Sequence, residues 1–282
     1  MLSACQTSSK RPESTDLDIS TSPLHRDDDP NTIARSNHLH RLLLNHFPEV
    51  NNPAIQAYIK RVAAKITSSL PPIKYCCRYY LIKMNTVNAF SLPNGNIYIT
   101  VKLLRLLDSE AQLAAVLSHE IAHVASRHSV KDSLNKSTTY KVYRELHRRG
   151  QSKRLNDISL TLGRAYIRGY KREIEREADL LGLKYLILSG YHPAAMGEVF
   201  SRIKLHFSTN RLHRKYVKIV YTRDRGIFAS YPSFDERIKH SNAFVARYIE
   251  HKPANFSNSL VHGRTSFARI KRISSRLSIN AR

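Results

Sequence analysis

The sequence predicts a mainly helical α+β domain with one small sheet, and three observations carry that prediction. Helix-period apolar patterns with start and stop signals recur between residues 31 and 248. Strand signals are few and confined to residues 74–101, where Pro93-Asn94-Gly95 marks a hairpin. Directly after that hairpin, Ser109 to Arg127 (SEAQLAAVLSHEIAHVASR) reads as a capped amphipathic helix carrying His119-Glu120-Ile121-Ala122-His123, an HExxH motif.

Residues 1–30 lack periodicity and include Asp27-Asp28-Asp29-Pro30, so they read as a disordered tether. Within it Leu2-Ser3-Ala4-Cys5 resembles a bacterial lipobox, although no basic n-region or apolar h-region precedes it. Asn31 to Phe47 is weakly helical and stops at Pro48. Asn52-Pro53 opens a clearer helix whose apolar face is Ile55, Tyr58, Ile59, Val62, Ile66 and Leu70. Lys74 to Met84 reads as a strand, with Cys76 and Cys77 as ordinary apolar strand residues. Val87 to Leu92 and Asn96 to Val101 form the hairpin. An edge of that hairpin offers Asn88, Ala89 and Phe90 as candidate contacts for an extended peptide.

In the HExxH stretch, Ser109 and Gln112 read as a capping box, and Leu113, Leu117, Ile121 and Val124 form the core stripe. His119 and His123, four apart, share the other face and can reach one metal ion, with Glu120 beside them to act on water at that metal. Catalytic zinc takes three protein ligands and an open position, so a third ligand is required. Tyr170 to Gly190 supplies the candidate: a helix that starts charged, runs into a core, and is stopped by Gly190 and Pro193. Glu175 and Asp179 share one of its faces, giving Glu175 as ligand and Asp179 as the acceptor for a ligand histidine's other N–H. Glu173 and Glu177 are register rivals, and neither has the same acid partner four residues on.

His128 to about Gln151 is polar and basic, a cleft cover or a solvated face. Pro193 to Phe207 reads as a packing helix. Ser233-Phe234-Asp235-Glu236 is a second capping box, opening a helix to about Tyr248. From His251 onward there are seven Lys/Arg and no acid, with Phe267, Ile270, Ile273 and Leu277 at helical spacing. An amphipathic helix and a flexible extension both fit, and a flexible tail touching anionic lipid is the expectation. The domain assignment is therefore tether 1–30, catalytic domain 31–250 and basic tail 251–282.

The formal net charge of +24 fits an anionic membrane surface or a general basic bias. A nucleic-acid partner rests on charge alone, because the basic residues form no aromatic-interleaved patch. Three cysteines make no disulfide framework, and no run approaches the ~18 apolar residues of a membrane-spanning helix.

Three of these stretches together resemble metallopeptidase family forty-eight, which includes the HtpX and CAAX prenyl endopeptidase-like gluzincins. Asn88 to Thr100 (NAFSLPNGNIYIT) is similar to the family's hairpin. Glu110 to His128 resembles its E-LA-VLAHEIAHV--RH helix, and Tyr170 to Gly182 its YSR--E-EADRLG segment. The resemblance spans about residues 35–250. It implies a zincin-like (gluzincin) fold, one Zn2+ per chain held by His119, His123 and Glu175, Glu120 as general base, and Asp179 behind a ligand histidine. The lack of multiple membrane spans is similar to the soluble or lipoprotein bacterial branch, which implies the cell envelope and, with Cys5 lipidated, the periplasmic face of a membrane. One departure stands out: Tyr231 occupies the place of a family histidine, while Arg237-Ile238 is kept. Tyr231 and Arg237 become candidate oxyanion or substrate contacts. The function expected is zinc-dependent endopeptidase cleavage of misfolded or envelope polypeptides. The alternative is a chaperone-like or latent homologue that keeps zinc behind an occluded site.

Overall fold

The computed structural model describes residues 30–73, 77–128, 172–209, 233–250, 252 and 259–279. The proposed tether with Cys5, the basic segment after His128 and Tyr231 lie outside the described residues. The architecture is the mainly helical α+β domain expected, with a three-stranded sheet.

Helix α1 (Pro30–His46) and α2 (Pro53–Thr67) come first. Asn52 caps α2 by accepting the Ile55 N–H at 3.1 Å, and Pro53 follows at the first helical position. Strands β1 (Arg78–Ile82), β2 (Ala89–Ser91) and β3 (Asn96–Thr100) form a sheet of order β1-β3-β2. β1 runs parallel to β3, and β2 antiparallel to it with Phe90 opposite Tyr98. The hairpin turns at Gly95, whose φ of +80° is the conformation that favours glycine, and its N–H donates to the Leu92 carbonyl. β3 is buried along its whole length and β2 is an edge. A short helix α3 (Val101–Leu106), capped by the Thr100 hydroxyl, was not legible in the sequence, where Val101 ended a strand. Cys77 sits just before β1 and is disulfide-bonded, not the ordinary apolar strand residue expected.

Helix α4 (Glu110–Ala125) carries HExxH and is the centre of the core. Ser109 caps it by accepting the Gln112 N–H, and the Gln112 carboxamide oxygen accepts from Asp108 N–H. Its stripe of Leu113, Leu117, Ile121 and Val124 is buried against α5 (Arg172–Leu188) and α2. α5 ends where expected: Gly190 (φ +72°) lets the Tyr191 N–H reach Leu186 O and its own N–H reach Ile187 O, a Schellman stop. Helices α6 (Ala195–Thr209) and α7 (Phe234–Glu250) pack on each other and close the far side. α7 opens with a reciprocal box, Glu236 N–H to Ser233 Oγ and Ser233 N–H to Glu236 Oε2.

Gly182 sets the approach of α5 to α4. A Cβ there would lie 3.2 Å from the His119 backbone N and Cα and 3.0 Å from the Met196 methyl. Gly182→Val should therefore push α5 off the metal-binding helix and cost about 1–3 kcal/mol, read as a lower urea midpoint. An unchanged midpoint would show that the contact is slack.

The C-terminal segment departs from expectation. Residues 264–275 are no flexible tail but helix α8 (Arg264–Ser275), with Phe267 and Ile270 buried among residues of the main core. The apolar spacing seen in the sequence is the face it buries. Just ahead of it, His262 and Gly263 carbonyls accept the Ala111 and Glu110 N–H groups, pairing two otherwise orphaned donors of α4. Arg105 donates to the Ser274 carbonyl at the other end of α8.

Glu110 ties these pieces together. Its carboxylate accepts from Tyr58 Oη (2.6 Å), Tyr191 Oη (2.8 Å), Arg61 Nη2 (2.8 Å) and Ser266 Oγ (3.2 Å). Burial pushes this carboxyl up, but the hydrogen bonds from Arg61, Tyr58 and Tyr191 outweigh it and hold the group at about 2, against 4.5 unperturbed. A folded-state pKa below the unfolded one stabilises above pH 4.5, and that contribution fades as pH falls from about 4.5 to about 2. It should amount to at most about 3 kcal/mol. The stability gap between wild type and Glu110→Gln, read by urea unfolding, should be widest near pH 6 and shrink toward pH 3. A pH-independent gap would refute this.

Candidate metal centre

Two helices supply the site. The i, i+4 spacing on α4 brings His119 and His123 together, with Nε2 to Nε2 3.0 Å. α5 brings Glu175 against both: Oε2 lies 3.7 Å from His119 Nε2, and Oε1 lies 3.8 Å from His123 Nε2. The three ligand atoms fall within 4.8 Å of one another. Tetrahedral zinc with bonds of ~2.0–2.1 Å separates its ligand atoms by about 3.3 Å, so this set fits zinc. Among the described residues it is the only cluster of three or more His, Cys, Asp or Glu with such spacing. The rival Glu177 turns elsewhere, as described below.

The surroundings set the state of each group. Burial pushes His123 well below its ordinary value, and the charges of His119, His128 and Arg237 add to this. It is held as neutral imidazole, the form that ligates metal. Burial also works to lower His119, but its hydrogen bond and charge interaction with Asp179 raise it on balance. His119 Nδ1 lies 3.0 Å from Asp179 Oδ1. Asp179, itself buried, is kept ionised chiefly by Arg237, against its desolvation. Glu120 is 6% exposed, and burial pushes its carboxyl up to about 7, with Glu175's charge adding to the rise.

A cavity of about 180 Å3 opens on these groups. Its walls include Ala89 and Phe90 of edge strand β2 with Asn88 just before it, the apolar Val199, Phe200 and Phe234, and Arg237. Arg237 is reached as the sequence suggested, but its geometry differs from a free substrate contact. Its Nε and Nη2 donate to the two oxygens of Asp179 at 2.8 and 2.6 Å, Nη2 lies 3.6 Å from Glu175 Oε2, and the guanidinium stacks 4.1 Å over Phe200. That is a bidentate fork on one carboxylate.

Sequence reasoning missed His128, which it read as the start of a polar segment. The side chain is fully buried. Its Nδ1 lies 2.9 Å from His123 Nδ1, and its Nε2 lies 3.3 Å from Glu177 Oε2. Arg127, with a left-handed φ of 55°, turns the chain at the end of α4 so that His128 folds back beneath His123. The available signal was its place as the last residue of the HEIAHV--RH pattern.

Residues 49–245 match the sequence profile of Peptidase family M48. The chain is 30% identical over 165 residues to the β-barrel assembly-enhancing protease of Escherichia coli (strain K12), covering 55% of this chain and 34% of that protein. It is 28% identical over 173 residues to a putative β-barrel assembly-enhancing protease of Vibrio cholerae, covering 58% and 36%. It is 30% identical over 149 residues to the mitochondrial metalloendopeptidase OMA1 of Schizosaccharomyces pombe, covering 52% and 43%. The chain thus spans about a third of the length of the bacterial relatives it matches. Among the described residues no helix is long and apolar enough to cross a membrane.

Proposed function

This chain belongs to peptidase family M48, and we propose that it is a zinc-dependent endopeptidase that hydrolyses misfolded or envelope polypeptides. The observation that carries the reading is the buried His119, His123 and Glu175 cluster with Glu120 beside it in one cavity. His119, His123 and Glu175 would hold the zinc, which when bound would supply Lewis-acid polarisation of a carbonyl and make water more acidic. Glu120 handles the proton: as water attacks the scissile carbonyl carbon, the carboxylate takes its proton and then delivers it to the leaving amine.

The remaining residues position this machinery. Asp179, with Oδ1 3.0 Å from His119 Nδ1, is placed to accept its N–H and leave Nε2 free to ligate. Arg237 acts through Asp179, fixing its carboxylate with two hydrogen bonds. His128 and Glu177 orient His123 in the same way from the other side. Edge strand β2, with Asn88, Ala89 and Phe90 on the cavity, is suited to align an extended peptide by strand addition. Tyr231, outside the described residues, enters on sequence grounds alone as a candidate oxyanion or substrate contact. The β-barrel assembly named for the bacterial relatives, taken with the lipobox-like Leu2–Cys5, supports an envelope location with residues 1–30 as a lipid-held tether.

The ligand assignment is tested by Glu175→Ala. Zinc affinity, measured by competition with a chromophoric chelator, should fall by more than the 10–100-fold expected for loss of an outer partner. Unchanged affinity would overturn the assignment.

A further inference from the structure

Helix α8 has two faces of opposite chemistry. Phe267, Ile270 and Ser274 are buried, while Arg269, Arg272 and Arg276 repeat the same i, i+3, i+7 spacing about half a turn away and are exposed. With Asn52, Ile273 and Leu277 the three arginines line a concave surface of about 540 Å3. Neighbouring cations are engaged: Lys271 pairs with Asp108, Arg61 with Glu110, and Arg105 donates to carbonyls at the end of α8. Arg269, Arg272 and Arg276 have no side-chain partner among the described residues. Residues 264–282 contain no acid to neutralise them. Three like charges around one concavity repel, and an anion seated there relieves the repulsion.

We propose that this face docks the protein on an anionic lipid surface by gripping phosphate-bearing headgroups. Guanidinium forks match phosphate oxygens in pairs. Ile273 and Leu277 set aliphatic surface beside them, suited to the glycerol and first methylenes of a lipid. Nucleic acid fits less well, because among the described residues no aromatic side chain lines the concavity on which a base could stack. The burial of Phe267 and Ile270 fixes the stripe on the folded body, so docking needs no ordering of the helix. The inference is independent of peptide hydrolysis.

The test compares two variants of the full chain with equal net charge. One carries Arg269→Gln, Arg272→Gln and Arg276→Gln. The control carries Arg41→Gln, Lys239→Gln and Arg247→Gln, exposed positions on α1 and α7. Flotation with phosphatidylglycerol-containing vesicles at about 0.15 M salt should show an affinity loss of about 100-fold in the first variant. The control should stay within about threefold of wild type, because diffuse charge is screened. Pure phosphatidylcholine vesicles should bind neither, and thermal unfolding and turnover of a soluble peptide should be unchanged in both. Equal losses in the two variants, or none in the first, would overturn the proposal. Titration with inorganic phosphate separates the sources. Binding of the free ion without vesicle binding would assign the site to a soluble anion, and a DNA duplex that displaced the vesicles through the same arginines would assign it to nucleic acid. Either result would overturn the lipid reading.

Discussion

Replacing Glu120 by Gln is expected to lower kcat for peptide hydrolysis by about 10³-fold while one zinc per chain stays bound. General acid–base catalysis contributes about 10²–10⁴ in rate, and the carboxamide is nearly the same size but cannot take a proton. Glu120 lies among buried groups, 6% exposed, so a polar isostere should leave the packing of α4 intact. Its neighbours His119 and His123 keep their partners, Asp179 and His128. KM for an unfolded substrate should move little, because the lost interaction belongs to the transition state. A loss of zinc together with activity would instead make Glu120 a structural support of the cluster.

Arg237→Ala should be the most damaging change outside the metal ligands and the base. The arginine is 6% exposed and holds both oxygens of Asp179. Removing one member of a buried ion pair leaves an uncompensated charge and typically costs about 3–5 kcal/mol. Without Arg237 the chief influence keeping Asp179 ionised is gone, and His119 loses a firmly placed acceptor. Zinc affinity should therefore fall about 10–100-fold, the range for outer partners of a metal ligand. Arg237→Lys keeps the charge but not the fork, and should recover part of the stability and little of the affinity. Wild-type zinc affinity in Arg237→Ala would show that Asp179 needs no support.

What was legible in the sequence was mostly local. The caps at Asn52, Ser109 and Ser233 formed because a side chain and a backbone N–H three residues on are enough to specify them. The hairpin at Gly95 and the stop at Gly190 follow from left-handed glycine conformations that a sequence can announce. The brought-together set His119, His123, Glu175 and Asp179 was readable because i, i+4 spacing twice over and the ligand count of zinc leave few alternatives. Long-range partners were not readable. Glu110 meets Tyr58 and Tyr191 from 52 and 81 residues away, and nothing in either stretch announces the pairing. Arg237 was seen as a site residue, yet its commitment to Asp179 depends on how α7 packs against α5. The docking of α8 was left undecided by the sequence, where its helical apolar spacing was visible but its basic composition also fitted a flexible tail. A stretch with no acid and many arginines looks solvated, and only burial of Phe267 and Ile270 decides otherwise.

The central claim is that His119, His123 and Glu175 hold a zinc ion beside which Glu120 drives hydrolysis of peptide bonds. It is tested most directly by digesting reduced casein in H2 18O with zinc-loaded protein and sequencing the products by mass spectrometry. The account predicts internal cleavages, each new C-terminal carboxyl carrying 18O from solvent, and none above background with zinc-loaded Glu120→Gln. Stoichiometric zinc with no cleavage by the wild type, or wild-type cleavage by Glu120→Gln, would contradict it.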